Sequence, residues 1–212
     1  MAENVKNTKP IPIKVILVGD SGVGKTSMIA RYLNRFKKNV DSTITTSYYT
    51  KTEIIDNYKI NFQIWDTVGQ EQFRSLNTLF FKDAQICMLV YDITRVDTFS
   101  SIKDYWYQAI LSNGLDNVIY GIAGNKNDLY MYEKVNRKEV EEFAKKINAI
   151  FKFTSATENV CIDELFKELG KKYVNSDLMK EISPEFLEQN NDNFSFHLDD
   201  EYKRDSKLKN CC

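Results

Sequence analysis

Gly19-Asp20-Ser21-Gly22-Val23-Gly24-Lys25-Thr26 decides the reading of this chain. The spacing is G-x-x-x-x-G-K-[ST], a loop whose backbone amides converge on a phosphate while the lysine reaches outer phosphate oxygens and the hydroxyl ligates Mg²⁺. An ordinary glycine-rich turn would carry the same glycines, but here the loop follows the apolar, β-branched run Ile13 to Val18. A helical pattern, Thr26 to Asn34, comes after it. Strand, loop and helix in that order are the context in which such a motif binds phosphate. The expected nucleotide contacts here are Asp20, Ser21, Gly22, Val23, Gly24, Lys25, Thr26 and the adjoining Ser27.

Outward from the loop, strands and helices alternate. Tyr48 to Ile55 and Lys59 to Trp65 are β-rich runs joined by Asp56-Asn57, the chemistry of a hairpin turn. Gln85 to Tyr91, Val118 to Ala123 and Phe151 to Phe153 read as further strands, and Phe99 to Leu111, Arg137 to Ile147 and Ile162 to Val174 as helices. Such alternation predicts a doubly wound, mostly parallel sheet that binds its ligand at the strand C-terminal ends. The chain has 212 residues and a formal net charge of -1, which suits one domain plus a tail and gives no reason to expect nucleic acid as a partner. Residues 1–12 read as a flexible N-terminus without an apolar leader, 13–174 as the nucleotide-binding domain, and 175–212 as a polar, acidic, flexible tail. Cys87 and Cys161 lie far apart in apolar patterns, so neither a zinc spacing nor a disulfide framework is expected.

A phosphate loop alone does not choose the base. Asn125-Lys126-Asn127-Asp128, at the end of a predicted strand, reads as N-K-x-D. The Asp128 carboxylate can accept from guanine N1-H and from its exocyclic amine, whereas adenine offers an acceptor at N1 and no such amine. Buried polar groups left unpaired make the wrong base costly. Asn125 suits N7, and the Lys126 stem can cover the base plane. A P-loop kinase or ATPase is the rival, and Asp128 argues against it. Asp66-Thr67-Val68-Gly69-Gln70 supplies the rest: Asp66 as a Mg²⁺-side anchor, the Gly69 amide for a γ-phosphate oxygen, and Gln70 as the catalytic residue that orients the attacking water.

These stretches, with Thr154-Ser155-Ala156, resemble the five-box pattern of Ras-superfamily GTPases from about Ile13 to Val174. Trp65-Asp66-Thr67, Gly69-Gln70-Glu71, Phe73-Arg74 and Val90-Tyr91-Asp92-Ile93-Thr94 look like the Rab family in particular, and the terminal Cys211-Cys212 agrees. The resemblance implies an α/β, P-loop NTPase fold with a six-stranded sheet, one antiparallel edge strand and helices on both faces. It implies a GTP-binding switch that hydrolyses GTP to GDP and recruits effectors in vesicle trafficking, with GTP/GDP and Mg²⁺ as cofactors. By it, Thr43 joins Thr26 and Asp66 at the metal, and Phe36 edges the base. Ser155 and Ala156 bring backbone amides to guanine O6, with Thr157 following, and Tyr48, Trp65 and Phe80 form an effector-facing aromatic triad. An exchange factor, a GTPase-activating protein, and prenylation and membrane-extraction machinery are the implied partners of a monomer. The implied location is the cytoplasmic face of endomembranes, with a cytosolic pool, held by lipid on Cys211 and Cys212.

Departures from the family pattern carry expectations too. Ile44-Thr45-Thr46-Ser47-Tyr48 lacks the usual glycine and leans toward the endocytic branches, and the segment between Lys25 and Phe36 looks one residue short. Thr157 stands where a base-covering lysine is usual. Val68 replaces an alanine, and its bulk predicts slow hydrolysis or a bias toward GDP. No matched motif offers an arginine finger in cis, so intrinsic hydrolysis is expected to be slow, such a finger contributing about 10³ to 10⁵ in rate. A nucleotide-locked interaction module is the other rival.

Overall fold

The computed structural model describes residues 9–36, 47–67, 81–113 and 117–181. Strands β1 (Ile11–Val18), β2 (Ser47–Ile55), β3 (Tyr58–Asp66), β4 (Ile86–Asp92), β5 (Ile119–Asn125) and β6 (Ile150–Phe153) form one six-stranded sheet in the order β2-β3-β1-β4-β5-β6. β2 pairs antiparallel with β3, and every other pairing is parallel. The hairpin turns at Asp56 and Asn57, both at positive φ (47° and 69°). That is the backbone a two-residue turn needs to match strand twist, and Asx residues tolerate it.

Among the described residues the α-helices are α1 (Lys25–Tyr32), α2 (Val96–Ser101), α3 (Tyr107–Ser112), α4 (Arg137–Lys146) and α5 (Ile162–Val174). A π-helical turn, Ile102–Trp106, joins α2 to α3, so the predicted helix Phe99 to Leu111 is one rod that starts earlier and widens in the middle. Side chains alternate across β1. Ile13, Val15 and Leu17 pack with α1 and with Leu165, Phe166 and Leu169 of α5, while Ile16 and Val18 pack with Phe99, Trp106, Val140 and Ala144 on the other side. Period-two alternation on a strand buried on both faces sends apolar groups both ways, which is why the parallel strands read as continuous apolar runs.

A 3₁₀ turn at Asn127–Tyr132 follows β5, and a second at Asp177–Glu181 follows α5. Met179 in the latter is buried in the core, so packed structure continues past Asn175, where composition alone suggests the tail. Among the described residues, no helix is long and apolar enough to cross a membrane.

Candidate nucleotide site

The parallel strands β1, β4 and β5 end together, and the phosphate loop, Asp92 and Asn125 are thereby brought to one edge of the sheet. The loop's shape depends on missing side chains. Gly24 sits at φ 98°, and a Cβ there would lie 2.3 Å from Asn125 Nδ2. A Cβ on Gly19 would lie 2.1 Å from the Val90 carbonyl oxygen. Among the described residues, the amides of Ser21, Gly22, Val23 and Gly24 donate to no other backbone group, as expected of donors kept for an anion.

Lys25 is buried and donates to the carbonyl oxygens of Gly19 (2.8 Å) and Asp20 (3.0 Å). Burial pushes its pKa down to about 8, against the pull of Asp66 and Asp20. The Thr26 hydroxyl donates to Asp66 Oδ2 at 2.6 Å. Asp66 is fully buried, burial raises its pKa, and its other oxygen, Oδ1, has no hydrogen-bond partner among the described residues. A buried carboxylate with one orphan oxygen beside a threonine hydroxyl is a donor set that fits Mg²⁺, an ion that takes oxygen ligands and keeps substrate phosphates among them.

Asn125 ties the phosphate loop to the ends of β5 and β6. Its Nδ2 donates to Val23 O (2.8 Å), and its Oδ1 accepts from the Thr154 hydroxyl (3.3 Å). An amide nitrogen has two N–H groups, so one more donor is left to Asn125 beside this bond. Asp128 Oδ1 accepts from the Ser155 hydroxyl at 2.6 Å, which aims the carboxylate. The expectation that Ser155 gives its backbone amide to guanine O6 needs correcting, because that amide donates to Val160 O (3.2 Å) in an isolated antiparallel bridge. Ser155 meets Asp128 through its hydroxyl, not its amide. Lys126 has left-handed backbone (φ 66°), and its ammonium meets Asp92 Oδ2 at 2.7 Å.

Three residues not singled out by the sequence touch these pieces. Arg31, on the last turn of α1, donates to Ala156 O (2.7 Å) and Thr157 O (2.9 Å), and its guanidinium lies 3.9 Å from the centre of the Phe36 ring. Trp106 in the π turn donates from Nε1 to Asp20 Oδ1 at 3.0 Å. Arg95 pairs with Asp97 and reaches the Ser21 carbonyl at 3.4 Å. Tyr48 and Trp65 are in contact, their rings 5.0 Å apart. Thr43, Val68, Gly69, Gln70, Phe80, Cys211 and Cys212 lie outside the described residues.

The Ras family model matches residues 14–175. Rab-22A of Homo sapiens is 39% identical over 166 residues, 78% of this chain and 85% of the relative. Rab-31 of Mus musculus is 39% identical over 161 residues, 76% of this chain and 82% of the relative. RabJ of Dictyostelium discoideum is 36% identical over 195 residues, 87% of this chain and 76% of the relative. The match runs from the middle of β1 to the end of α5, through every edge loop described above, and so the chain belongs to the Ras family of small GTPases, in its Rab branch.

Proposed function

We propose that this chain runs the GTPase cycle of its family with Asn125, Lys126 and Asp128 reading guanine, Ser21 to Ser27 holding the phosphates, and Gln70 placing the attacking water. As an endocytic-type Rab it is a GTP-binding switch of vesicle trafficking that hydrolyses GTP, binds Mg²⁺ and works with effectors, exchange factors and activating proteins. The observation that carries the assignment of roles is the link from base reader to phosphate loop. Asn125 bonds Val23 directly, and Ser155 orients Asp128 on the same side. A guanine bound by Asp128 therefore places its phosphates at the loop amides, with Lys25 able to leave the Gly19 and Asp20 carbonyls for the β/γ oxygens.

Thr26, Asp66 and Thr43 would hold Mg²⁺, which supplies neutralisation of charge on the phosphate oxygens. Thr43 and the Gly69 amide, joined to the γ-phosphate side, order both switch segments until hydrolysis releases them. Phe36 edges the base, Ala156 donates to O6 and Thr157 flanks it. Lipid on Cys211 and Cys212 ties the protein to the cytoplasmic face of endomembranes, since two chains anchor stably where one is marginal. Lys203, Arg204, Lys207 and Lys209 add attraction to anionic lipid, offset by Asp199, Asp200, Glu201 and Asp205.

Mass spectrometry of nucleotide released from the purified protein tests the base assignment, and the expected product is GDP or GTP. Asp128→Asn is expected to weaken guanine binding and improve xanthine binding, because the xanthine 2-oxo group accepts from an amide nitrogen. Equal affinity of the parent for ATP and GTP would refute it.

A further inference from the structure

Asp92 ends β4 and is almost wholly buried. One carboxylate oxygen, Oδ2, accepts from the Lys126 ammonium at 2.7 Å. The other, Oδ1, accepts from the Thr94 amide (2.9 Å) and from the Thr94 hydroxyl (2.7 Å). The Asp92 main chain is fixed as well: its amide donates to Thr98 Oγ1 (3.1 Å), and its carbonyl accepts from the Arg95 amide (3.0 Å). Burial pushes the carboxyl upward, and the bonds from Lys126 and Thr94 more than offset it, so the group stays below its ordinary pKa and charged.

Lys126 is the more exposed partner in this pair. Its side chain keeps about a third of its exposure, against 2% for Asp92. A lysine side chain has many rotamers, and a charge-assisted bond to a fixed carboxylate removes much of that freedom before any ligand arrives. Asp92 and Asn125 are paired partners across β4 and β5, so the carboxylate sits one residue from the lysine it holds, beside the base reader. Lys126 also has left-handed backbone, a conformation that costs a non-glycine residue energy.

We propose that Asp92 is a positioning residue for the nucleotide: by tethering the Lys126 ammonium it presets the lysine stem across the base and so sets how slowly bound nucleotide leaves. The proposal rests on the reading of Asn125, Lys126 and Asp128 as the guanine site. Asp92 touches neither base nor phosphate and acts only through Lys126. Its removal therefore shortens nucleotide residence and leaves the chemical step alone.

The test is release of a fluorescent methylanthraniloyl-GDP from the full-length chain in Mg²⁺, chased with excess GDP. Asp92→Asn keeps the shape and loses the charge, and is expected to release nucleotide about tenfold faster, with single-turnover hydrolysis of prebound GTP at the parent rate. Lys126→Met is expected to speed release as well, and adding Asp92→Asn to it to produce no further change, since residues acting in one chain are non-additive. Thr94→Val, which loses one bond to the carboxylate and keeps the buried charge pair, is expected to speed release about threefold and to be silent beside Lys126→Met. It carries the test if Asp92→Asn fails to fold. Parent-like release in both Asp92→Asn and Thr94→Val, or an undiminished effect of either in the Lys126→Met background, would overturn the proposal while leaving the guanine reading intact. A parent protein that retains no guanine nucleotide would overturn both.

Discussion

Arg31 shows what a single side chain contributes at this site. Its fork donates to two consecutive carbonyls, those of Ala156 and Thr157, while its plane covers Phe36, so it couples the end of α1 to the loop expected to meet guanine O6. A planar fork does both at once and an ammonium does not. Arg31→Ala is accordingly expected to speed GDP release about tenfold, and Arg31→Lys to recover only part of that, measured by the same fluorescent chase. Parent-like release from the alanine variant would refute the role. Gly24 gives the complementary case. Its φ of 98° strains any residue with a Cβ, and the 2.3 Å approach of Asn125 Nδ2 to a would-be Cβ means that alanine displaces the Asn125 amide from the loop. Gly24→Ala is expected to purify without stoichiometric nucleotide, which chromatography of the heat-released ligand reports directly.

At the scale of elements, the rod from Val96 to Ser112 is the informative one. Ile102, Trp106 and Ile110 are all fully buried, and the π turn between α2 and α3 carries Trp106 to a position from which its indole reaches Asp20 in the phosphate loop. π turns are rare because they widen the helix, and they concentrate where a side chain must be re-aimed. Removing the acceptor makes the consequence measurable. Asp20→Ala takes a partner from a buried N–H and is expected to cost about 1 to 3 kcal/mol in urea unfolding of the GDP-bound protein, whereas Asp20→Asn keeps an acceptor and costs less. Equal stability of the alanine variant and the parent would show that the bond contributes nothing.

For the molecule as a whole, the sheet separates two apolar cores, and α5 closes the one that also contains α1. Gly170 lets that helix approach: a Cβ there would lie 2.4 Å from Ile55 Cδ1 and 2.9 Å from Phe62 Cζ. Overpacking a well-filled core costs about 1 to 3 kcal/mol, so Gly170→Ala is expected to lower the urea midpoint without altering base preference. The proposed attachment to membranes belongs to the same scale, because among the described residues no helix is long and apolar enough to span and the proposed anchor is lipid. Cys211→Ser combined with Cys212→Ser is expected to move the protein from the membrane pellet to the supernatant after cell fractionation, and unchanged sedimentation would refute the lipid anchor.

Much of this protein is determined locally. The phosphate loop and its place after β1, the Asp56-Asn57 hairpin, the run of strands and helices, and the place of Asn125-Lys126-Asn127-Asp128 at a strand end all follow from neighbouring residues: backbone freedom at glycine, β-branching, and apolar periods of two and 3.6. The start of the long rod at Val96 and its π turn were not legible, since periodicity reports a face and says nothing of a turn widened to place one indole. Nor were the polar ties. Arg31 and Ala156 are 125 residues apart, Trp106 and Asp20 are 86, and Ser155 and Asp128 are 27. Isolated polar side chains, whether on a helix turn or in a loop, carry no periodic signal, and their partners are chosen only when parallel strands end together and bring distant segments to one edge. The tertiary structure alone thus decided that Ser155 serves Asp128 through its hydroxyl and that Asp92 meets Lys126, because a hydrogen bond is specified by distance and direction in space, not by separation along the chain.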